Sequence, residues 1–163
     1  MIGRRVILDT GFQTVSAVQD LAEIKLGTAQ AGFVLSRVIM QSSDEASSEA
    51  EELQIDEKRG TSTFTSGSGG GSLTVVKGQS GDAAHGLATV ERNNTTQAVV
   101  GTGTLDTIGG GVFNVLAGEW GGELTPEKMH AIGPSEAYIL SLSEAPADAL
   151  TLRAIIEILI THG

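Results

Sequence analysis

No cysteine occurs in the 163 residues of this chain. Disulfides, thiolate zinc sites, iron–sulfur clusters and cysteine nucleophiles are excluded together. Aromatic residues are scarce: Trp120, Tyr138 and the phenylalanines Phe12, Phe33, Phe64 and Phe113. A sugar site built on several aromatic platforms therefore has little to draw on. Basic residues number 10 against 20 acidic ones, a formal net charge of −10. Such a surface repels phosphate backbones, so nucleic acid is not an expected partner. No apolar run approaches the ~20 residues of a membrane-crossing helix, and no membrane role is expected. The apolar stretch at the start ends at Asp9, too short for the core of a secretory signal. The expectation is a product formed in a reducing cytoplasm.

What the chain does have is apolar content, 40 % of residues, and glycine, 22 of them against 3 prolines. That is enough core for one domain of ordinary size. The sequence runs in short apolar segments punctuated by Gly, Ser, Asn and Asp. Residues 4–8, 21–26, 33–40, 51–58, 73–77, 88–92, 104–108, 112–116, 129–132, 137–142 and 150–161 read as strands. In 51–58, Leu53 and Ile55 share one face and charges take the other. Many short strands at this spacing predict an all-β fold, an antiparallel β-sandwich of jelly-roll-like type with long Gly/Ser loops. Helical spacing of Val15, Val18, Leu21 and Ala22 leaves a helix open over 14–26, and a single turn over 145–148 is also open. The acidic stretch 42–52 has almost no apolar face and reads as a loop. Gly109-Gly110-Gly111 reads as a hairpin turn between two strands. Asn93-Asn94-Thr95-Thr96 reads as a turn in which asparagine takes the left-handed conformation. Residues 1–14 are expected to form an N-terminal arm with the first strand, ahead of a single sandwich domain over 15–163. The glycine-rich loop 61–72 is a second candidate arm, mobile until a partner orders it.

Catalytic and cofactor signals are weak. Gly78-Gln79-Ser80-Gly81-Asp82 has the look of a serine nucleophile loop, but His85, His130 and His162 all follow Ser80. A Gly-x-Ser-x-Gly elbow in a strand–turn–helix setting is missing. Gly101-Thr102-Gly103-Thr104 lacks the third glycine of a dinucleotide loop, and no Gly-Lys-Ser/Thr occurs. The histidines are 32 to 45 residues apart, without paired ligand spacing. The acids Asp44, Glu45, Glu49, Glu51, Glu52, Asp56 and Glu57 lack the alternation and turn glycine of a calcium loop and read as a solvated face. No catalytic residue, cofactor or metal is expected, and the chain reads as a non-enzyme. Trp120, between Gly118-Glu119 and Gly121-Gly122, is a candidate for the core, an interface or a sugar platform.

The segment 149–161 is the most informative. Leu150, Leu152, Ala154, Ile156, Ile158 and Ile160 form an unbroken inward set. The other parity holds Ile155 and Leu159 among Thr151, Arg153, Glu157 and Thr161. A half-buried strand alternates cleanly, so Ile155 and Leu159 need a cover, from another layer or from a second copy. Self-association follows as an expectation. Arg4-Arg5 is the only arginine pair in an acidic chain and suits bidentate contact with a partner's carboxylates.

Gln41-Ser42-Ser43-Asp44, Arg59-Gly60-Thr61, Thr65-Ser66-Gly67-Ser68-Gly69-Gly70, Gly81-Asp82, Asn93-Asn94-Thr95-Thr96 and the ending Glu144-Ala145-Pro146-Ala147-Asp148-Ala149-Leu150-Thr151-Leu152 carry a resemblance. Together they resemble the small single-domain β-sandwich virion proteins of tailed bacteriophages that decorate, or cement, capsids. The resemblance implies a jelly-roll-like fold, a homotrimer, the major capsid protein as partner and the capsid surface of the virion as location, after synthesis in the host cytoplasm. It transfers no binding residue. The interface candidates remain those read from the chain itself: Arg4, Arg5, Trp120, Ile155 and Leu159. The competing expectation is a carbohydrate- or receptor-binding module of a tail or fibre, and a small hydrolase using Ser80 is the third.

Overall fold

The computed structural model describes residues 3–42, 50–61 and 63–162. The fold is all-β, with two antiparallel sheets packed face to face as a sandwich. The strands are β1 (Arg4–Asp9), β2 (Gln13–Val15), β3 (Gln19–Lys25), β4 (Gln30–Gln41), β5 (Glu52–Gly60), β6 (Gly71–Ser72), β7 (Thr74–Lys77), β8 (Thr89–Asn94), β9 (Leu105–Asn114), β10 (Glu119–Glu123), β11 (His130–Ile132), β12 (Ala137–Leu142) and β13 (Leu150–His162). One 3-10 turn, Pro126–Lys128, precedes β11. The seven-stranded sheet runs β10-β4-β13-β1-β7, with β11 also on β4 and β2 also on β13. The six-stranded sheet runs β6-β8-β3-β12-β5-β9.

The alternation of β13 has the expected consequence. Leu150, Leu152, Ala154, Ile156, Ile158 and Ile160 are buried between the sheets, with Val6 and Leu8 of β1 and Val34 and Ile39 of β4. Leu21, Ile24, Leu53, Ile55, Phe113, Tyr138, Leu140 and Leu142 face them from the other sheet. The 14–26 segment, left open as a helix, falls in two strands, β2 and β3, and β3 is held in ladders to both β8 and β12. No α-helix occurs among the described residues, and residues 145–148 form bends.

Three expectations are corrected. Gly109–Gly111 is not a turn: β9 passes straight through it, paired with β5. The glycines are there for close packing. A Cβ on Gly109 would lie 2.6 Å from Glu57 Oε2, one on Gly110 2.3 Å from Ile55 O, and one on Gly111 2.7 Å from Trp120 Nε1. Within 61–72, the described residues are sewn down rather than free. Thr65 bridges Val99 and Ser68 bridges Thr96, and a Cβ on Gly70 would lie 2.0 Å from Arg92 O. The described part of 1–14 is likewise woven into the seven-stranded sheet: β1 lies between β13 and β7, and β2 pairs with β13. The loop expected over 42–52 falls largely outside the described residues, as do Asp44, Glu45 and Glu49. Asn93 takes the expected left-handed conformation, φ 56°, but it and Asn94 end strand β8 rather than forming a turn.

The two outer faces differ. The described residues of the loops 61–70 and 95–104 roof the six-stranded sheet, and Phe64 and Ala98 from them pack on Ala137 and Ile139 of β12. All six residues of β12 are consequently buried. The seven-stranded sheet has no such roof among the described residues.

Candidate interaction surface

The bare outer face is built from alternate residues of four strands, β7, β1, β13 and β4. Ile155 stands between Asp9 and Val38, Glu157 between Ile7 and Ser36, and Leu159 between Arg5 and Phe33. Val76 of β7 continues the row of Ile7. Ile7, Val38, Ile155 and Leu159 are half-buried by their neighbours, while Phe33 and Val76 are 39 % and 49 % exposed. Small and apolar groups also meet closely at the edge: a Cβ on Gly3 would lie 2.6 Å from Leu159 Cδ1.

The charges on this face are paired with one another. Arg5 Nε lies 2.5 Å from Glu157 Oε1, and Arg5 Nη2 donates to Oε2 at 2.9 Å. Arg153 Nε and Nη2 donate to Asp9 Oδ1 and Oδ2 at 2.9 and 2.5 Å, and the guanidinium sits 5.7 Å from the Phe12 ring centroid. The hydrogen bond from Arg153, outweighing partial desolvation, holds the Asp9 carboxyl below its ordinary pKa, and the same contact raises Arg153. In a chain of net charge −10 this face is therefore balanced and part apolar.

The structure brings Arg5, Ile155 and Leu159 together on one surface and separates the other two candidates from it. Arg4 is out of phase with Arg5; its Nη1 donates to Ala84 O at 2.7 Å. Trp120, in β10 opposite Ile39, turns inward. It packs against the core and carries the Arg37 guanidinium 4.8 Å from its ring centroid. The glycines around it serve that packing: Gly121 has φ +95°, and a Cβ there would lie 2.2 Å from Arg37 O. Ser80 lies in an exposed turn after β7, and His85 Nδ1 accepts the Leu87 N–H at 3.0 Å.

A polar cluster inside the sandwich escaped the sequence reading. Glu57, expected on a solvated acidic face, is 1 % exposed. Arg37 Nε and Nη2 donate to its two oxygens at 2.7 and 3.3 Å, and the Tyr138 hydroxyl donates to Oε1 at 2.7 Å. His130 Nε2 lies 3.3 Å from Oε2. Arg37 Nη1 also donates to Gly122 O at 3.1 Å. Burial pushes the Glu57 carboxyl up, but the hydrogen bonds from Arg37 and Tyr138 and the nearby positive charge outweigh it, so its pKa is lowered. Burial and the Glu57 charge together raise Tyr138 well above its ordinary value. The signal was present: Glu57 is in phase with Leu53 and Ile55, and Arg37 with Ile39. An open recess of ≈ 480 Å³ borders this cluster, lined by Gly109, Leu124, Lys128 and His130 among others. Every polar group of Arg37 and Glu57 that faces it is engaged within the protein, so the cluster clamps β4 of one sheet to β5 and β12 of the other. Comparison of the chain with protein-family models, with curated proteins and with solved structures finds no match.

Proposed function

We propose that the chain is a structural protein of a tailed-bacteriophage virion, which self-associates and decorates the capsid, stabilising the shell through contact with the major capsid protein. The observation that carries this reading is the contrast between the two outer faces. One is roofed by the chain's own loops; the other has no such cover among the described residues and carries Ile7, Phe33, Val38, Val76, Ile155 and Leu159. Uncovered apolar area of this kind marks an interface. Like-charged copies repel, and the balanced Arg5–Glu157 and Arg153–Asp9 pairs make this the surface on which two copies approach at least cost. The same pairs can exchange partners across a symmetric contact. A closed trimer suits docking at local symmetry axes of a shell. The packing of Trp120 against Arg37 and Gly111 takes away the aromatic platform that a sugar-binding tail module would use.

Light scattering on the purified chain should give an oligomer, and Ile155→Lys should release monomers with an unchanged β-sheet spectrum. A buried isoleucine contributes roughly 1.5–3 kcal/mol per copy, multiplied by the copies in the assembly. Shells of the major capsid protein should rupture at lower temperature bare than decorated, because a ligand of the intact shell stabilises it at every site. Equal heat resistance overturns the cementing function. A chain that stays monomeric at about tens of micromolar, with Ile155→Lys decorating as well as the parent, overturns the role of this face.

A further inference from the structure

The roof over the six-stranded sheet is fastened to two buried acids. Gly67, in one loop, donates its N–H to Glu23 Oε2 at 2.9 Å; Ala98, in the other, donates to Asp20 Oδ2 at 2.6 Å. Glu23 is 0 % exposed and Asp20 1 %. Asp20 Oδ1 also accepts the Ser141 hydroxyl at 2.5 Å, whereas Glu23 Oε1 is buried without a hydrogen-bond partner.

The charges around the two acids do not neutralise them. On β8, Glu91 stands directly opposite Glu23, and Arg92 points the other way, donating to Thr10 O. On β3, Lys25 reaches over the Phe64 ring, 5.4 Å from its centroid. On β5, Lys58 acts on Asp20 through its charge, and Asp56 takes the Ser143 hydroxyl. β12 offers Ala137, Ile139 and Ser141 on this side, none of them charged. The roof offers no charge: residues 61–72 and 95–104 contain no Asp, Glu, Lys, Arg or His.

We infer that the roof is a proton-coupled latch, which closes over Glu23 and Asp20 with a proton retained between them and opens with that proton released to solvent. A protonated carboxyl still accepts a backbone N–H through its carbonyl oxygen, so both anchors survive protonation. An ionised pair sealed under an uncharged roof loses hydration that the charge of Lys58 replaces only in part. Burial raises both carboxyls, and for Glu23 the charges of Glu91 and Asp20 add to it; hydrogen bonds from Ser66, Gly67, Ser141 and Ala98 offset this only in part. Because the closed-state pKa is raised, closure is favoured fully below the ordinary carboxylate range and weakens as pH rises through the raised values. Opening uncovers the apolar group Phe64, Ala98, Ala137 and Ile139. The latch therefore governs a second apolar surface, on the face opposite Ile155 and Leu159.

Hydrogen exchange of the full chain tests this, followed from about pH 5 to about pH 8 and corrected for the intrinsic pH dependence of exchange. Opening of the 61–72 and 95–104 segments should rise with pH, by up to about tenfold per unit for each proton released, while β13 shows no such rise. Glu23→Gln with Asp20→Asn keeps both acceptors and removes the titration, so the roof should lose its pH dependence. A roof whose opening is independent of pH overturns the latch, as does an unchanged dependence in the double variant. If that variant does not fold, carboxyl NMR titration of the unmodified protein decides: ordinary pKa values for both Asp20 and Glu23 overturn it.

Discussion

Replacing Glu57 by leucine removes the acceptor at the centre of the inter-sheet clamp. Arg37 loses both carboxylate hydrogen bonds and keeps the hydrogen bond of Nη1 to Gly122 O and its place over the Trp120 ring, neither of which is a countercharge. Its side chain is 13 % exposed, so water reaches it poorly. Tyr138, which is 0 % exposed, is left with an unpartnered hydroxyl. Removing one partner of a buried, hydrogen-bonded ion pair costs roughly 3–5 kcal/mol, against a total stability of about 5–15 kcal/mol. For a chain of this size each kcal/mol corresponds to about 2–4 °C, so Tm should fall by roughly 6–20 °C. Urea unfolding gives the free energy and calorimetry the Tm. Arg37→Met combined with Glu57→Leu should cost much less than the sum of the two single changes, because neither charge is then stranded. A loss below about 1 kcal/mol for Glu57→Leu, or strict additivity in the double variant, would refute the clamp.

Three further outcomes are expected. Since Glu57 and Asp9 have lowered pKa values, their contribution is complete above the ordinary carboxylate range and is lost as pH falls below it; the urea midpoint of the parent should drop in acid more steeply than that of Glu57→Leu. Gly111→Val should lower Tm by displacing the Trp120 indole, and Gly111→Val with Trp120→Leu should recover part of the loss, as differential scanning calorimetry will show. Trp120→Ala should itself cost roughly 2–4 kcal/mol in urea unfolding, without changing the oligomer seen by light scattering, because the ring packs inside the protomer.

The strands were largely legible because a half-buried strand writes its environment into alternate positions. β13 is the clearest instance: the parity that separates Ile156 from Ile155 in the sequence is the parity that separates the core from the bare face. Glycine misled where it serves contact rather than turning. A run such as Gly109–Gly111 has the same composition in a hairpin as in a strand pressed against Trp120 and Glu57, and only the partner, more than 50 residues away for Glu57, distinguishes them. The same ambiguity hid the packing role of Gly67–Gly70. Buried charge was missed for another reason. Glu57 lies in a locally acidic stretch, and its cation, Arg37, comes from a different sheet, so local spacing sets each of them on an inward parity but does not show that they pair. Arg4 and Arg5 look equivalent in sequence, yet the pleat sends them to opposite sides of β1.

The position of β13 in the seven-stranded sheet sets an order on synthesis. It lies between β4 and β1, with Arg4 opposite Ile160 and Asp9 opposite Ile155. β1 begins at Arg4 and its partner β13 only at Leu150, so the earlier strand waits on the ribosome for the later before its main ladder exists. At about 5–20 residues per second that wait lasts roughly 10–30 seconds, far longer than a small all-β domain takes to fold once complete. For most of it the six-stranded sheet also lacks β12, the strand that joins β3 to β5, while Val6 and Leu8 have no β13 to cover them. The same register places the ends of β1 and β13 side by side, so a short linker joining them, with new ends opened in the exposed turn at 79–82, should yield a permuted chain in which that wait is abolished.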